Sequence, residues 1–176
     1  MKVERSQVTK LVITGAPSLD PITVFLEDMP IWRGKVIIEC YGKSWSAYWG
    51  NMGSTLMQFF CACNPGYITG KLTEAPARVY DPEGMANMLK KEVLRLRRAH
   101  DLTKGEAYDM MYEIETMDLE HPFHVRSNLL TQLLGDDWQC ALPEKDNPDW
   151  VYLERIVKAV QSALRQPEDV KVAEKA

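Results

Sequence analysis

Apolar and polar residues alternate with a period of about two through the first part of the chain, and the spacing lengthens to about 3.6 beyond Gly53. Leu11 and Ile13 alternate with Val12 and Thr14. Ile22, Val24 and Leu26 alternate with Thr23, Phe25 and Glu27, and Val36, Ile38 and Cys40 with Ile37, Glu39 and Tyr41. Each run predicts a strand. A fourth strand is predicted in the aromatic stretch from Tyr41 to Gly53, where Trp45 and Trp49 share one face with Ala47 and Tyr48 takes the other. The breaks carry turn chemistry: Gly15-Ala16-Pro17-Ser18, then Asp28 to Gly34, then Gly42-Lys43. Connections this short predict an antiparallel meander, because a parallel crossover needs about a dozen residues or more.

The helical half is punctuated by caps. Ser54 is a candidate N-cap for a helix with Leu56, Phe59, Phe60 and Cys63 on its apolar face, and Asn64-Pro65, Asp81-Pro82 and Asn147-Pro148 predict three further helix starts. The helix after Asp81 buries Met85, Met88, Leu89, Val93 and Leu96, and the last helix buries Leu153, Ile156, Val157, Val160 and Leu164. Thr103-Lys104-Gly105-Glu106 has the form of a capping box, opening a helix with Ala107, Met110, Met111 and Ile114 inward. A shorter helix runs from near Ser127 to Leu134 and ends at Gly135. Strands first and helices afterwards predict an α+β fold, an N-terminal antiparallel meander of about four strands covered on one face by C-terminal helices.

The length of 176 residues suits one domain over 1–166, with 167–176 a flexible C-terminal tail after Pro167 ends the last helical pattern. An apolar fraction of 45% with 26% charged residues is that of a globular protein. No run of residues approaches the span of a bilayer and the start lacks an apolar signal core, so a cytoplasmic protein without membrane contact is expected. The formal charge of −4 does not favour duplex nucleic acid. Cys40, Cys61, Cys63 and Cys140 form no CxxC pair and are expected to be reduced.

Four groups of residues could carry function. Trp45, Tyr48 and Trp49 are a candidate protein-binding surface if exposed, and core if not; the Gly50-Asn51-Met52-Gly53 turn beyond them is a weak anion-binding signal. Lys90, Lys91, Arg95, Arg97 and Arg98 form a basic stripe, the candidate for nucleic-acid binding. Glu106, Asp109 and Glu113 form an acidic stripe on the next helix. The stripes can face each other across a hairpin, or face solvent, where the acidic one suits a basic protein surface. His121 and His124 beside Glu120, with Asp136 and Asp137, are the candidates for a divergent metal-dependent hydrolase, although no third ligand is evident. No GxSxG, GxxxxGK[ST] or GxGxxG motif is present, and His100 has no acidic orienter.

Leu19-Asp20-Pro21-Ile22-Thr23-Val24-Phe25-Leu26-Glu27-Asp28, the aromatic strand with Trp49-Gly50-Asn51-Met52-Gly53, and Asp149-Trp150-Val151-Tyr152-Leu153 resemble a group of small proteins encoded by tailed phages and enterobacterial prophages. The resemblance spans most of the chain and brings no catalytic residues with it. It implies a phage setting, in which small acidic proteins often bind and block a host enzyme or defence complex. The expectation is therefore a non-enzymatic protein without cofactor or metal that binds a bacterial host protein, inhibiting a nuclease or an immune complex, through Trp45, Tyr48, Trp49, Glu106, Asp109 and Glu113. Nucleic-acid binding and metal-dependent hydrolysis are the alternatives.

Overall fold

A computed structural model describes residues 2–3, 7–121 and 128–166. The expected tail, Ser127 and His124 lie outside them. The fold is α+β. In chain order its elements are strands β1 (Thr9–Ile13), β2 (Ile22–Met29), β3 (Arg33–Cys40) and β4 (Lys43–Trp49), helices α1 (Leu56–Ala62) and α2 (Pro65–Leu72), and strand β5 (Arg78–Tyr80). Helices α3 (Pro82–Arg98), α4 (Lys104–Thr116) and α5 (Leu129–Leu134) follow, then a 3-10 turn (Trp138–Ala141), strand β6 (Glu144–Asp146) and helix α6 (Pro148–Leu164).

Contacts gather into two compact units, one holding the chain up to Ala77 together with Asn147 onward, the other Arg78–Asp146. A cluster of buried apolar residues corresponds to each unit. In the first unit β1 to β4 form an antiparallel meander in chain order. Its register sets Leu26 beside Val36 and Val36 beside Ala47, and Val24 beside Ile38 and Ile38 beside Trp45. All six point to the side that α1, α2 and α6 cover, and the fully buried Ile22, Val24, Val36, Ile38, Leu56, Phe60, Ile156 and Val160 form the centre of that core. Gly34 makes the fit possible at one end, since a Cβ there would come within 2.9 Å of Met52 Cε and 3.2 Å of Leu56 Cβ.

Helix α6 also satisfies the end of α1. The buried Gln161 amide donates to Phe60 O at 2.8 Å and Cys63 O at 2.9 Å, and Arg165 donates to Cys61 O at 2.6 Å. These are carbonyls that a helix C-terminus leaves without intrahelical partners. At the start of α1 the cap is Thr55 rather than Ser54, and the Asp28 carboxylate accepts from the Leu56 N–H at 2.7 Å. Ser54 stands one residue too early, since it is the Thr55 hydroxyl that accepts from the Gln58 N–H.

The second unit packs α3, α4, α5 and the 3-10 turn around Met85, Leu89, Val93, Ile114, Leu130 and Trp138. Its predicted caps are present: the reciprocal box of Thr103 and Glu106 opens α4, and Gly135, at φ +84°, ends α5. The α3 end is a Schellman motif with His100 at φ +66°, Asp101 N–H donating to Leu96 O and His100 N–H to Arg97 O. That assigns His100 a turn role. The β5–β6 ladder, pairing Arg78 with Asp146 and Tyr80 with Glu144, was not legible in three-residue strands of charged sequence.

The chain leaves the first unit at Ala77 and returns at Asn147, whose backbone N–H donates to Ala77 O at 2.9 Å and whose side-chain amide donates to Pro76 O at 2.9 Å. Exit and return are thus adjacent. Replacing residues 78–146 with a short Asn-Gly turn is expected to leave the sheet and its three helices folded, with one cooperative thermal transition by circular dichroism. A chain without dispersed amide resonances would show that the first core needs the second unit.

Candidate interaction surfaces

Strand β4 sorts its aromatics by the alternation of its side chains. Trp49 is 6% exposed and stands edge-on to Phe59 and Phe60, with ring centroids 5.6 and 6.5 Å away. It is core, which corrects its placement on a binding surface: the face it shares with Ala47 is the one the helices cover. Trp45 is half-buried against the same core. Tyr48 alone points to the open face, 54% exposed. That face also carries Lys10, Phe25 and Ile37 in one cross-strand row, with the Lys10 ammonium 5.6 Å from the Phe25 ring centre.

Lys90 on α3 and Glu115 on α4 form an ion pair at 3.0 Å, which joins the two charged helices. Arg95 is held by Glu92 on its own helix at 2.7 Å, which keeps the Glu92 carboxyl below its ordinary pKa. Arg97 donates to Leu102 O, helping the turn into α4. Lys91 and Arg98 are exposed and make no ion pair among the described residues. These two stand seven residues, about two helical turns, apart on α3.

Glu106, Asp109 and Glu113 face solvent on α4. Beside them stand two residues that the sequence reading passed over, Tyr108 at 73% exposed and Tyr112 at 63%. Their i, i+4 spacing, on the side opposite Ala107, Met110, Met111 and Ile114, was the signal that marks an outward aromatic column. Around the helix the tyrosine column stands about 100° from the Asp109–Glu113 column, and Tyr112 and Asp109 are neighbours at i, i+3. Glu106 is also structural, since its carboxylate accepts from the Thr103 N–H at 2.7 Å. Hydrogen bonding by Thr103, side chain first and backbone second, holds the Glu106 carboxyl below its usual range.

The other candidates remain scattered. His121 lies 3.3 Å from the Asp118 carboxylate, Asp136 and Asp137 are exposed, and no three His, Cys, Asp or Glu side chains among the described residues are grouped to hold a metal ion. The four cysteines are free thiols. No helix among the described residues is long and apolar enough to cross a membrane. A further exposed apolar pair, Ile31 and Trp32, occupies the β2–β3 turn, where the sequence reading saw only turn chemistry.

The described residues form an α+β fold with aromatic and acidic side chains exposed along α4. Comparison with known families gives its setting: the chain belongs to the phage family Phage_phiTE_072, whose model matches residues 1–166. No curated protein and no solved structure matches the chain.

Two expectations separate core from surface. Trp49→Ala should cost about 3–5 kcal/mol in urea unfolding, whereas Tyr108→Ala and Tyr112→Ala should each stay within about 0.5 kcal/mol. Because the folded state lowers the Glu106 pKa, its capping contribution is present above the ordinary carboxylate pKa of about 4.3 and is lost as pH falls through the lowered value. The protection of first-turn amides of α4, measured by NMR as the exchange rate relative to the intrinsic rate at each pH, should fall over that acid range.

Proposed function

We propose that this phage protein acts without catalysis, by binding a protein of its bacterial host, and that the outward face of α4 is the contact. The observation that carries the reading is the pair of exposed tyrosines, Tyr108 and Tyr112, set against Glu106, Asp109 and Glu113. Tyrosine combines a large rigid contact area with a polar end and is enriched at binding hot spots. Flanking carboxylates steer such a face toward a basic surface. The basic surfaces of a bacterial cell include the nucleic-acid clefts of nucleases and defence complexes, so the target class is an enzyme of that kind and the outcome is its inhibition. The phage family membership supports this direction. The host cytoplasm is where such targets reside.

The test is purification of the tagged protein from host cells with and without nuclease treatment. One host protein should survive the nuclease at a constant ratio. Its affinity should fall about tenfold or more when Tyr108→Ala and Tyr112→Ala are combined. Asp109→Lys with Glu113→Lys should weaken it further at low salt than at high salt. A set of partners that disappears with nuclease would replace this reading with nucleic-acid binding through Lys91 and Arg98.

A further inference from the structure

We propose that the open face of the β1–β4 sheet is a homodimer interface, on which a second copy of this chain packs sheet against sheet about a two-fold axis. The inference goes beyond the reading of α4 and does not depend on it.

An antiparallel sheet covered on one side commonly leaves its other face to water, and its strands then alternate apolar inward with polar outward. Here the outward middle row departs from that pattern. It sets Phe25 beside Ile37 on the two central strands, between Lys10 and Ser46. Both apolar side chains are half-buried among their neighbours, and neither belongs to the core under the helices. Around them the same face exposes Val12, at 61%, and Tyr48, at 54%.

The charges on the face identify the partner. On one side of the apolar pair a row carries Glu27, Lys35 and Tyr48, and on the other a row carries Val12, Thr23, Glu39 and Ser44. With Lys10 these three rows hold two cations and two carboxylates, so they have no net charge to recruit a phosphate backbone or an anionic bilayer. The pattern is instead complementary to itself, as an interface between identical chains must be. A two-fold axis parallel to the strands, between β2 and β3, lays each copy's β2 over the other's β3 and its β1 over the other's β4. Phe25 then meets Ile37 twice at the centre, and Glu27 meets Lys35 twice beside them. Lys10 falls over Ser46, Thr23 over Glu39 and Val12 over Ser44, so no like charges are opposed.

The dimensions agree with that arrangement. Two sheets pack face to face about 10 Å apart, with their strands within about 30° of alignment. Four strands about 4.8 Å apart, the central two eight residues long, make a face of roughly 500 Å² in projection. Side chains standing out of it enlarge the accessible area, so two such faces bury on the order of 1,200 Å², the lower end of a stable interface.

The experiment is sedimentation velocity of the full chain over a wide range of concentration, where the unsubstituted chain should pass from its own mass to twice that mass. Lys35→Glu leaves one chain with two carboxylates in the outer row, and Glu27→Lys leaves another with two ammonium groups. Each alone should self-associate about tenfold more weakly or worse, because like charges then oppose across the axis. Mixed in equal amounts, the two should form a dimer again, since every carboxylate of one copy lies over an ammonium of the other. An effect confined to the folding of a single chain would not recover on mixing. Tyr48→Ser, at an exposed position, should also weaken the dimer about tenfold while the circular dichroism of the monomer is unchanged.

An unsubstituted chain that stays monomeric at the highest concentration overturns the proposal. So does a dimer that both charge variants still form on their own, which places the contact elsewhere, as at the edge strand β1. Folded charge variants that stay apart when mixed overturn it as well. Where circular dichroism shows either charge variant to be unfolded, Tyr48→Ser decides: a weakened dimer supports the interface, and an unchanged one overturns it.

Discussion

The first unit depends on covering the inner face of a four-stranded sheet with a helix that arrives at the end of the chain. Strands β1 to β4 form a meander by local turns, but Ile22, Val24, Val36 and Ile38 reach zero exposure only under a helical layer that includes α6, with Ile156, Val157 and Val160. The same helix brings Gln161 and Arg165 to the carbonyls that end α1. A buried carbonyl left without a donor costs about 1–3 kcal/mol, so α6 both seals the core and removes a penalty from its neighbour. The long sequence separation is bridged because Asn147 hydrogen-bonds Pro76 and Ala77, bringing the chain back where it left.

That return explains how a second core is accommodated. Between Ala77 and Asn147 the chain builds α3, α4 and α5 around apolar residues that belong to Arg78–Asp146 alone. Each unit then carries its own exposed feature. In one it is the aromatic and acidic face of α4, in the other the Ile31–Trp32 tip. Left-handed non-glycine residues cost about 1–3 kcal/mol each and persist where surrounding contacts over-determine them. At the tip those contacts are the Met52 N–H donating to Trp32 O and the Arg33 side chain donating to Pro30 O.

Much of the site was legible only halfway. The alternation along β4 put Trp45 and Trp49 opposite Tyr48, and the structure keeps that division. Which face the helices would cover was not written in the strand, so the pattern left Trp49 open between core and binding surface, and the structure makes it core. On α4 the carboxylates stood out because charge runs are easy to read, while Tyr108 and Tyr112 passed unnoticed because an aromatic residue in a helix is more often buried. The basic stripe reads evenly in the sequence, but its members differ in their partners. Lys90, Arg95 and Arg97 each find a partner that the linear pattern does not name, namely Glu115, Glu92 and the Leu102 carbonyl.

What the sequence by itself determined are the features of short range: strand alternation, the Asn-Pro and Asp-Pro helix starts, the Thr103–Glu106 box and the Gly135 stop. These depend on groups within a few residues of one another, and their physics is complete in a short window. Tertiary structure decided which apolar face is covered, which charges are neutralised and where the chain closes on itself. It also paired two three-residue strands far apart in the chain and set Ile31 and Trp32 in a turn whose form is held by Met52 and Arg33. Those outcomes are pairings between distant segments, and no local pattern of residues specifies the partner.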